Sequence, residues 1–315
     1  MNAPSTTHVV LGAGPVGRAT AALLAEHGHE VVLASRSGTG PALPGVTRVP
    51  VDAADAEQVN RLADGADVLY NCVNPATYLD WQAFWPPVTA ALLTAAEKTG
   101  ALLAITGTLY PYGPVEGPMT EGLPDAATTP KARLRAELWA AALAGHEAGR
   151  LRAVEVRGSD YVGPGVRPEA GHVARVAPAY LAGRTVRVMG RADVPHSFTD
   201  VRDVARTLAT VAERPDTWGR IWHVPTNPAR TQREVLGDLA RSVGRDPGRV
   251  KEMPGLVLGL GGALVPMLRE LRETAYQFSR PYVLDSAHSQ RVLGLAPTPW
   301  DEVCRASAEA ALDAG

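Results

Sequence analysis

Residues 8–37 read HVVLGAGPVGRATAALLAEHGHEVVLASRS, and their pattern decides the fold. The apolar run at 8–11 predicts a strand that enters Gly12-Ala13-Gly14-Pro15-Val16-Gly17. An alanine-rich helix follows, then a second apolar strand ending at Ser35-Arg36-Ser37. Each glycine has its own physical reason. Gly12 permits the tight turn, Gly14 lets backbone approach a pyrophosphate, and Gly17 lets helix pack on strand. The first turn of the helix, with Pro15 and Val16, then presents unpaired N–H groups to an anion. A dinucleotide is the expected ligand.

The end of the second strand indicates which one. A binder of the unphosphorylated coenzyme usually carries Asp or Glu there to accept the ribose 2′-hydroxyl. This chain offers a cation and two hydroxyls instead, Ser35, Arg36 and Ser37, groups that suit a 2′-phosphate. NADP(H) is the expected cofactor; the alternative is that Arg36 only stacks on the adenine of either coenzyme.

Composition narrows the classes further. At 315 residues the chain holds one large α/β unit, or a coenzyme domain with a smaller second lobe. A formal net charge of −2 gives no basic excess, so no nucleic-acid partner is expected. Cys72 and Cys304 have no metal-ligand spacing and suit a reducing, cytoplasmic setting, with no disulfide framework and no metal. The start, MNAPSTTHVV, lacks the charged and apolar regions of a signal peptide. The longest apolar stretch, residues 255–268, carries glycines and Pro266 and is too short to span a bilayer. It is expected to line a pocket or pack as a helix.

Along the chain, strands are expected near 47–51, 66–72, 101–106 and 151–157, and helices at 53–64, 86–99 and 131–147, with loops at 74–81 and 109–130. Strands alternating with helices over about 150 residues argue an α/β, Rossmann-type doubly wound parallel sheet. Past Gly158 the units shorten and prolines multiply. The expected division is therefore 1–160 for the dinucleotide-binding domain and 161–315 for a smaller C-terminal substrate lobe, interleaved with the last sheet strands at about 195–225.

Several stretches then coincide in order and spacing. They are the glycine turn, VDAAD at 51–55, VLYNCVNP at 68–75, ITGTLYPYG at 105–113, VRGSDYVGPG at 156–165, SFTDVRDVARTL at 197–208 and IWHVPT at 221–226. Over nearly its whole length the chain resembles extended short-chain dehydrogenases/reductases of the epimerase/dehydratase branch. The resemblance implies that Asp52 hydrogen-bonds the adenine amino group and that Asn71 and Asn74 line the ribose and nicotinamide side.

It also exposes a departure. Such enzymes use a Tyr-x-x-x-Lys pair with an upstream Ser or Thr, the lysine lowering the phenol's pKa so that it acts as acid or base near neutrality. Thr108 falls where the Ser/Thr belongs. The helix that should open with Tyr and Lys reads Thr128-Thr129-Pro130-Lys131-Ala132-Arg133-Leu134-Arg135-Ala136-Glu137. Counting back from Glu137 puts Thr129 and Arg133 at the pair; counting from Lys131 puts Ala127 at the tyrosine. Neither register restores a phenol. The expected catalytic residues are Thr108 and, reaching the nicotinamide ribose as the family lysine does, Lys131 or Arg133. Arg135 is expected on the solvated face, paired with Glu137.

The missing tyrosine leaves three readings. One is a reductase that manages without it, the second an enzyme whose acid or base lies elsewhere, and the third a non-catalytic NADP-binding regulator. Tyr78, Tyr110, Tyr112, Asp160, Tyr161 and His196 are the candidates elsewhere. His196 stands where sugar-nucleotide enzymes of the family carry a diphosphate-gripping arginine, which weighs against a sugar-nucleotide epimerase or dehydratase. Asp160 is expected either to accept a substrate hydroxyl or to be neutralised by Arg157.

Tyr78, Trp81, Phe84, Trp85, Tyr161, Met253 and Met267 suggest an apolar pocket. Tyr78, Trp81, Tyr110, Asp160, Tyr161 and His196 are the expected substrate contacts. The alanine, arginine and glycine bias and the lost tyrosine resemble the tyrosine-less actinobacterial ketoreductases of angucyclinone (simocyclinone-type) biosynthesis. That resemblance implies a cytoplasmic, NADPH-dependent ketoreductase acting on a hydrophobic, polycyclic small-molecule ketone. No nucleic-acid or membrane partner is expected, and the enzyme would be a monomer or homodimer.

Overall fold

The computed structural model describes residues 6–75, 80–168, 171–253, 273 and 275–313. The expected contacts Tyr78 and Met267 and the apolar stretch 255–268 lie outside the described residues.

The chain begins with β1 (Thr7–Leu11), α1 (Pro15–Glu26), β2 (Glu30–Ser35), β3 (Val46–Pro50), α2 (Ala56–Ala63) and β4 (Val68–Asn71). It continues through α3 (Trp81–Thr99), β5 (Leu102–Thr108), α4 (Pro130–Glu147) and β6 (Arg152–Gly158). Together with β10 (Ile221–His223) the first six strands make a seven-stranded parallel sheet in the order β10-β6-β5-β4-β1-β2-β3. The order reverses between β1 and its neighbours β2 and β4, and the crevice beyond the carboxyl ends of β1 and β4 is where such sheets bind ligands. The Rossmann-type α/β expectation is met.

The strand pattern shows why the sheet is covered on both faces. Val9 and Leu11 enter one core with α2, α3 and α4, while Val10, between them, enters the other with α1 and α6 (Val201–Ala212). The period of two sends alternate side chains to opposite faces.

Two boundaries differ from the sequence expectation. Helix α2 starts at Ala56 rather than 53, because the Asp55 carboxylate caps it, accepting the N–H groups of Glu57 at 2.9 Å and Gln58 at 3.0 Å. Helix α3 starts at Trp81 rather than 86, running through Pro86 and Pro87. Two prolines in a row read as a start because each removes a backbone donor and crowds the carbonyl four residues back. Burial of Trp81 and Trp85 holds the turn before them. Those indoles, 4% and 1% exposed, belong to the core beneath α3, which corrects the expectation that they line the pocket.

Beyond β6 come β7 (Asp160–Val162), α5 (His172–Leu181), β8 (Val186–Val188), β9 (Phe198–Asp200), α7 (Gln232–Ser242), β11 (Val250–Glu252), α8 (Ala287–Leu293) and α9 (Trp300–Asp313). Strands β7 and β9 form one small parallel sheet, β8 and β11 another. A third core, with Val173, Tyr180, Leu236, Leu239 and Val303, joins α5, α7 and α9. Among the described residues no helix is long and apolar enough to cross a membrane. Cys72 and Cys304 are buried free thiols.

At the amino end of β1, His8 is buried, with Nδ1 3.0 Å from the Tyr70 hydroxyl. Burial, with His29 beside it, pushes its pKa down to about 4, and Asp67 opposes only in part. The folded protein therefore binds fewer protons at His8 than the unfolded chain as pH falls from 6.5 toward 4. Stability present above 6.5 is lost across that window, by about 1–3 kcal/mol. Urea titrations at stepped pH should show the loss, and His8→Gln should flatten it. An unchanged slope in that variant would exclude His8 as its source.

Candidate active site

The glycine turn has the form a dinucleotide needs. Gly12 has φ +114°, and a Cβ there would lie 2.5 Å from the backbone of Cys72 at the end of β4. At Gly17 a Cβ would lie 1.8 Å from the Gly12 carbonyl oxygen, so these two glycines close the turn on the sheet. Gly14 differs: nothing lies within 4 Å of a Cβ built there. It faces open space, at the N-cap of α1, where no side chain caps the helix and no acid lies in the first turn. Pro15 has no N–H to offer, so Val16 and Gly17 supply the free donors of that turn. The cradle fits a pyrophosphate.

At the tip of β2 the Arg36 and Ser37 side chains are exposed. The Ser35 hydroxyl accepts from the Gly38 N–H at 3.2 Å, and Ser37 Oγ lies 2.7 Å from the Thr39 hydroxyl. Both seryl oxygens are thus oriented by their own turn. Asp52 follows β3; one carboxylate oxygen accepts the Ala54 N–H at 3.0 Å. Asn71 closes β4, its Oδ1 accepting the Val73 N–H at 3.3 Å, while its buried Nδ2 has no hydrogen-bond partner among the described residues. Asn74 is exposed, its amide directed to the Pro75 carbonyl.

At the end of β5, the Thr108 hydroxyl is buried and has no hydrogen-bond partner among the described residues. Helix α4 packs beside it, and its phase corrects the sequence reading. Lys131, Leu134, Arg135 and Leu138 face inward, whereas Arg133 and Glu137 are exposed. Arg133 donates to the Ala127 carbonyl at 3.5 Å and points outward, because two residues turn a helix by about 200° away from Lys131. Arg135 is 3% exposed, donates to the Thr106 carbonyl and lies 4.2 Å over the Trp85 ring. The inward pair four residues apart is therefore Lys131 and Arg135, in neither register expected from the sequence. Lys131, also 3% exposed, meets Glu273 with its ammonium 3.2 Å from the carboxylate. Helical spacing of Leu134 and Leu138 with Lys131 and Arg135 was the available signal.

Burial lowers the Arg135 pKa, opposed by Glu155. Glu155 is itself fully buried, and burial raises it despite Arg157 and Arg135. Arg157 holds Glu155 at 2.8 Å and Asp125 through two bonds of 2.6 and 3.0 Å. Its guanidinium lies 4.6 Å over the Tyr112 ring, whose hydroxyl is 2.8 Å from His223. Tyr112 is thus locked in packing, and burial raises its phenol.

Arg157 does not neutralise Asp160. That carboxylate lies 2.8 Å from His196 Nε2, and the other ring nitrogen of His196 is 3.1 Å from the Gln277 carbonyl. Burial pushes Asp160 upward, but His172, His196 and Arg175 outweigh it, leaving the carboxyl below its usual range. His196 stacks on Phe278 at 4.6 Å. Tyr161 donates its hydroxyl to the Gly107 carbonyl at 2.8 Å, which ties β7 to β5 and occupies that proton. Tyr110 sits on a short 3-10 turn and packs against Trp81 at 6.1 Å. Ser159, whose buried hydroxyl has no hydrogen-bond partner among the described residues, escaped the sequence reading because nothing local marks it.

Residues 8–224 match the model of the NAD dependent epimerase/dehydratase family. Among curated proteins there is no match to the chain. Solved structures share the fold at low identity. UDP-glucose 4-epimerase of Thermotoga maritima, solved with UDP-glucose, is 18% identical with a TM-score of 0.79, over 96% of this chain and 98% of that one. dTDP-glucose 4,6-dehydratase of Bacillus anthracis, solved with NAD, is 16% identical with a TM-score of 0.79, over 97% and 96%. UDP-glucose 4-epimerase of Brucella ovis, solved with NAD, is 19% identical with a TM-score of 0.75, over 98% and 99%.

Proposed function

The chain belongs to the NAD dependent epimerase/dehydratase family, and on that premise we propose that it is an NADP(H)-dependent ketoreductase of the extended short-chain dehydrogenase/reductase class. Its substrate is a hydrophobic, polycyclic ketone of the angucyclinone kind, reduced without the usual tyrosine. The observation that carries the reading is the Thr108 hydroxyl, buried at the carboxyl end of β5 and, among the described residues, without a hydrogen-bond partner.

When bound, NADPH supplies the hydride for the carbonyl carbon. The turn of Gly12, Gly14 and Gly17 with the Val16 and Gly17 N–H groups holds the pyrophosphate. Ser35, Arg36 and Ser37 hold the 2′-phosphate, Asp52 the adenine amino group through its second oxygen, and Asn71 and Asn74 the ribose and nicotinamide side. Thr108 donates to the substrate carbonyl oxygen and fixes it where negative charge develops. Arg135 grips β5 through the Thr106 carbonyl. A helix on a parallel sheet runs against the strands, so Lys131 stands about 6 Å further toward the crevice, one turn of α4 earlier. Its ammonium stabilises the alkoxide and supplies the proton that the missing phenol would have given. The Asp160–His196 pair accepts a substrate hydroxyl, with Tyr110 on the wall. The lobe at 161–315 serves the substrate, and the enzyme works in the cytoplasm as a monomer or homodimer without nucleic-acid or membrane partners.

A second reading, a sugar-nucleotide epimerase or dehydratase, is favoured by one observation: Arg175 acts on both Asp160 and His172 and offers a cation near the lobe. Deuterium transfer from [4-²H]NADPH, followed by mass spectrometry, separates the two. Label is expected in aromatic polyketide ketones and no conversion of UDP-glucose or dTDP-glucose. Conversion of the sugar nucleotides alone would refute the ketoreductase.

Arg36→Ala should weaken NADPH about 10–100-fold, the scale of one or two charge-assisted hydrogen bonds, and leave NADH unchanged. Equal losses for both coenzymes, by calorimetry, would remove Arg36 from the phosphate site.

A further inference from the structure

A cluster unrelated to the crevice lies at the opposite, amino end of β1. Helix α1 ends at its C-cap His27, Gly28 turns with φ +87°, and His29 leads into β2. Helices α1 and α6 pack side by side, and α6 ends at its C-cap Glu213 beside the same turn. One ligand-type atom from each of His27, His29 and Glu213 falls within 4.8 Å of the others. His29 Nε2 lies 3.7 Å from a Glu213 carboxylate oxygen.

We propose that His27, His29 and Glu213 form a binding site for a divalent transition-metal ion of the zinc type, clamping the α1–β2 turn to the end of α6. Two imidazoles and a carboxylate are a donor set such ions accept, leaving a fourth position for water. Zinc bonds of about 2.0–2.2 Å put tetrahedral ligand atoms roughly 3.3–3.6 Å apart. The 3.7 Å approach is already near that spacing. His27 and Glu213 are exposed, so side-chain rotation closes the rest.

Two further features point to a cation. Both His27 and Glu213 cap helix carboxyl ends, where the aligned peptide dipoles leave partial negative charge. His29 has its Nδ1 2.9 Å from the Thr6 hydroxyl, which turns Nε2 toward Glu213. Thr6 Oγ1 in turn lies 2.6 Å from His8 Nε2. Metal-bound histidines are oriented by such a partner on the second ring nitrogen.

The test uses full-length protein free of any polyhistidine tag, stripped with chelator and titrated with ZnCl₂ by calorimetry and thermal melting. One saturable Zn²⁺ per chain is expected, with a raised Tm, and no response to Mg²⁺, which prefers oxygen ligands. His27→Ala and Glu213→Gln, both at exposed positions, should each weaken Zn²⁺ at least tenfold and abolish the Tm rise, with circular dichroism unchanged. Thr6→Val should weaken it about tenfold through His29 orientation. Absence of saturable binding in the parent, or equal binding in His27→Ala and Glu213→Gln, would overturn the site.

Discussion

Thr108→Val should slow turnover by about two to three orders of magnitude, the cost of losing one donor to a developing oxyanion. The substitution nearly keeps side-chain volume and β-branching, so β5 should fold as before. Among the described residues its hydroxyl has no hydrogen-bond partner, so removing it breaks no bond there. The loss should therefore appear in kcat with NADPH affinity unchanged, and Thr108→Ser should restore most of it. Steady-state kinetics with calorimetric coenzyme titration makes the comparison. Full turnover in Thr108→Val would take Thr108 out of the mechanism. A parallel loss of NADPH binding would assign it to the coenzyme instead.

Arg157→Leu should cost about 3–5 kcal/mol of folding stability, because it leaves the fully buried Glu155 carboxyl without its nearest cation. Arg135 remains close, but its guanidinium already serves the Thr106 carbonyl and the Trp85 face. Left with Arg135 alone, Glu155 takes up a proton or the β6 region opens. Asp125 also loses its two bonds to Arg157, which frees the loop before α4. Arg157→Leu with Glu155→Leu should recover part of the loss, since the buried acid is then gone. Urea unfolding followed by tryptophan fluorescence measures both. A single-variant loss below about 1 kcal/mol, the scale of an exposed pair, would show that the network does not hold the sheet.

The glycine turn at the end of β1 was legible because its determinants are local. A strand, a glycine turn and a helix follow one another within 30 residues, and sterics at Gly12 and Gly17 leave no other residue type room. The lobe was less legible: His196 and Asp160 were each named from sequence, but only folding shows them 2.8 Å apart. The α4 register failed for a related reason. Three cations in five residues carry no label saying which face is inside, and a buried arginine runs against the usual expectation.

What the chain's sequence determined by itself was the alternation of strands and helices, the parallel sheet and the turn at the mouth of β1, since hydrophobic period and backbone sterics act between near neighbours. What only the tertiary structure decided was partnership: Lys131 and Arg135 inward, Arg133 outward, Trp81 and Trp85 in the core, Arg157 on Glu155 and Asp125 rather than Asp160, and His29 facing Glu213. Those depend on which elements pack together and how much water they exclude, because a charge finds its partner and its energy only after distant segments have met.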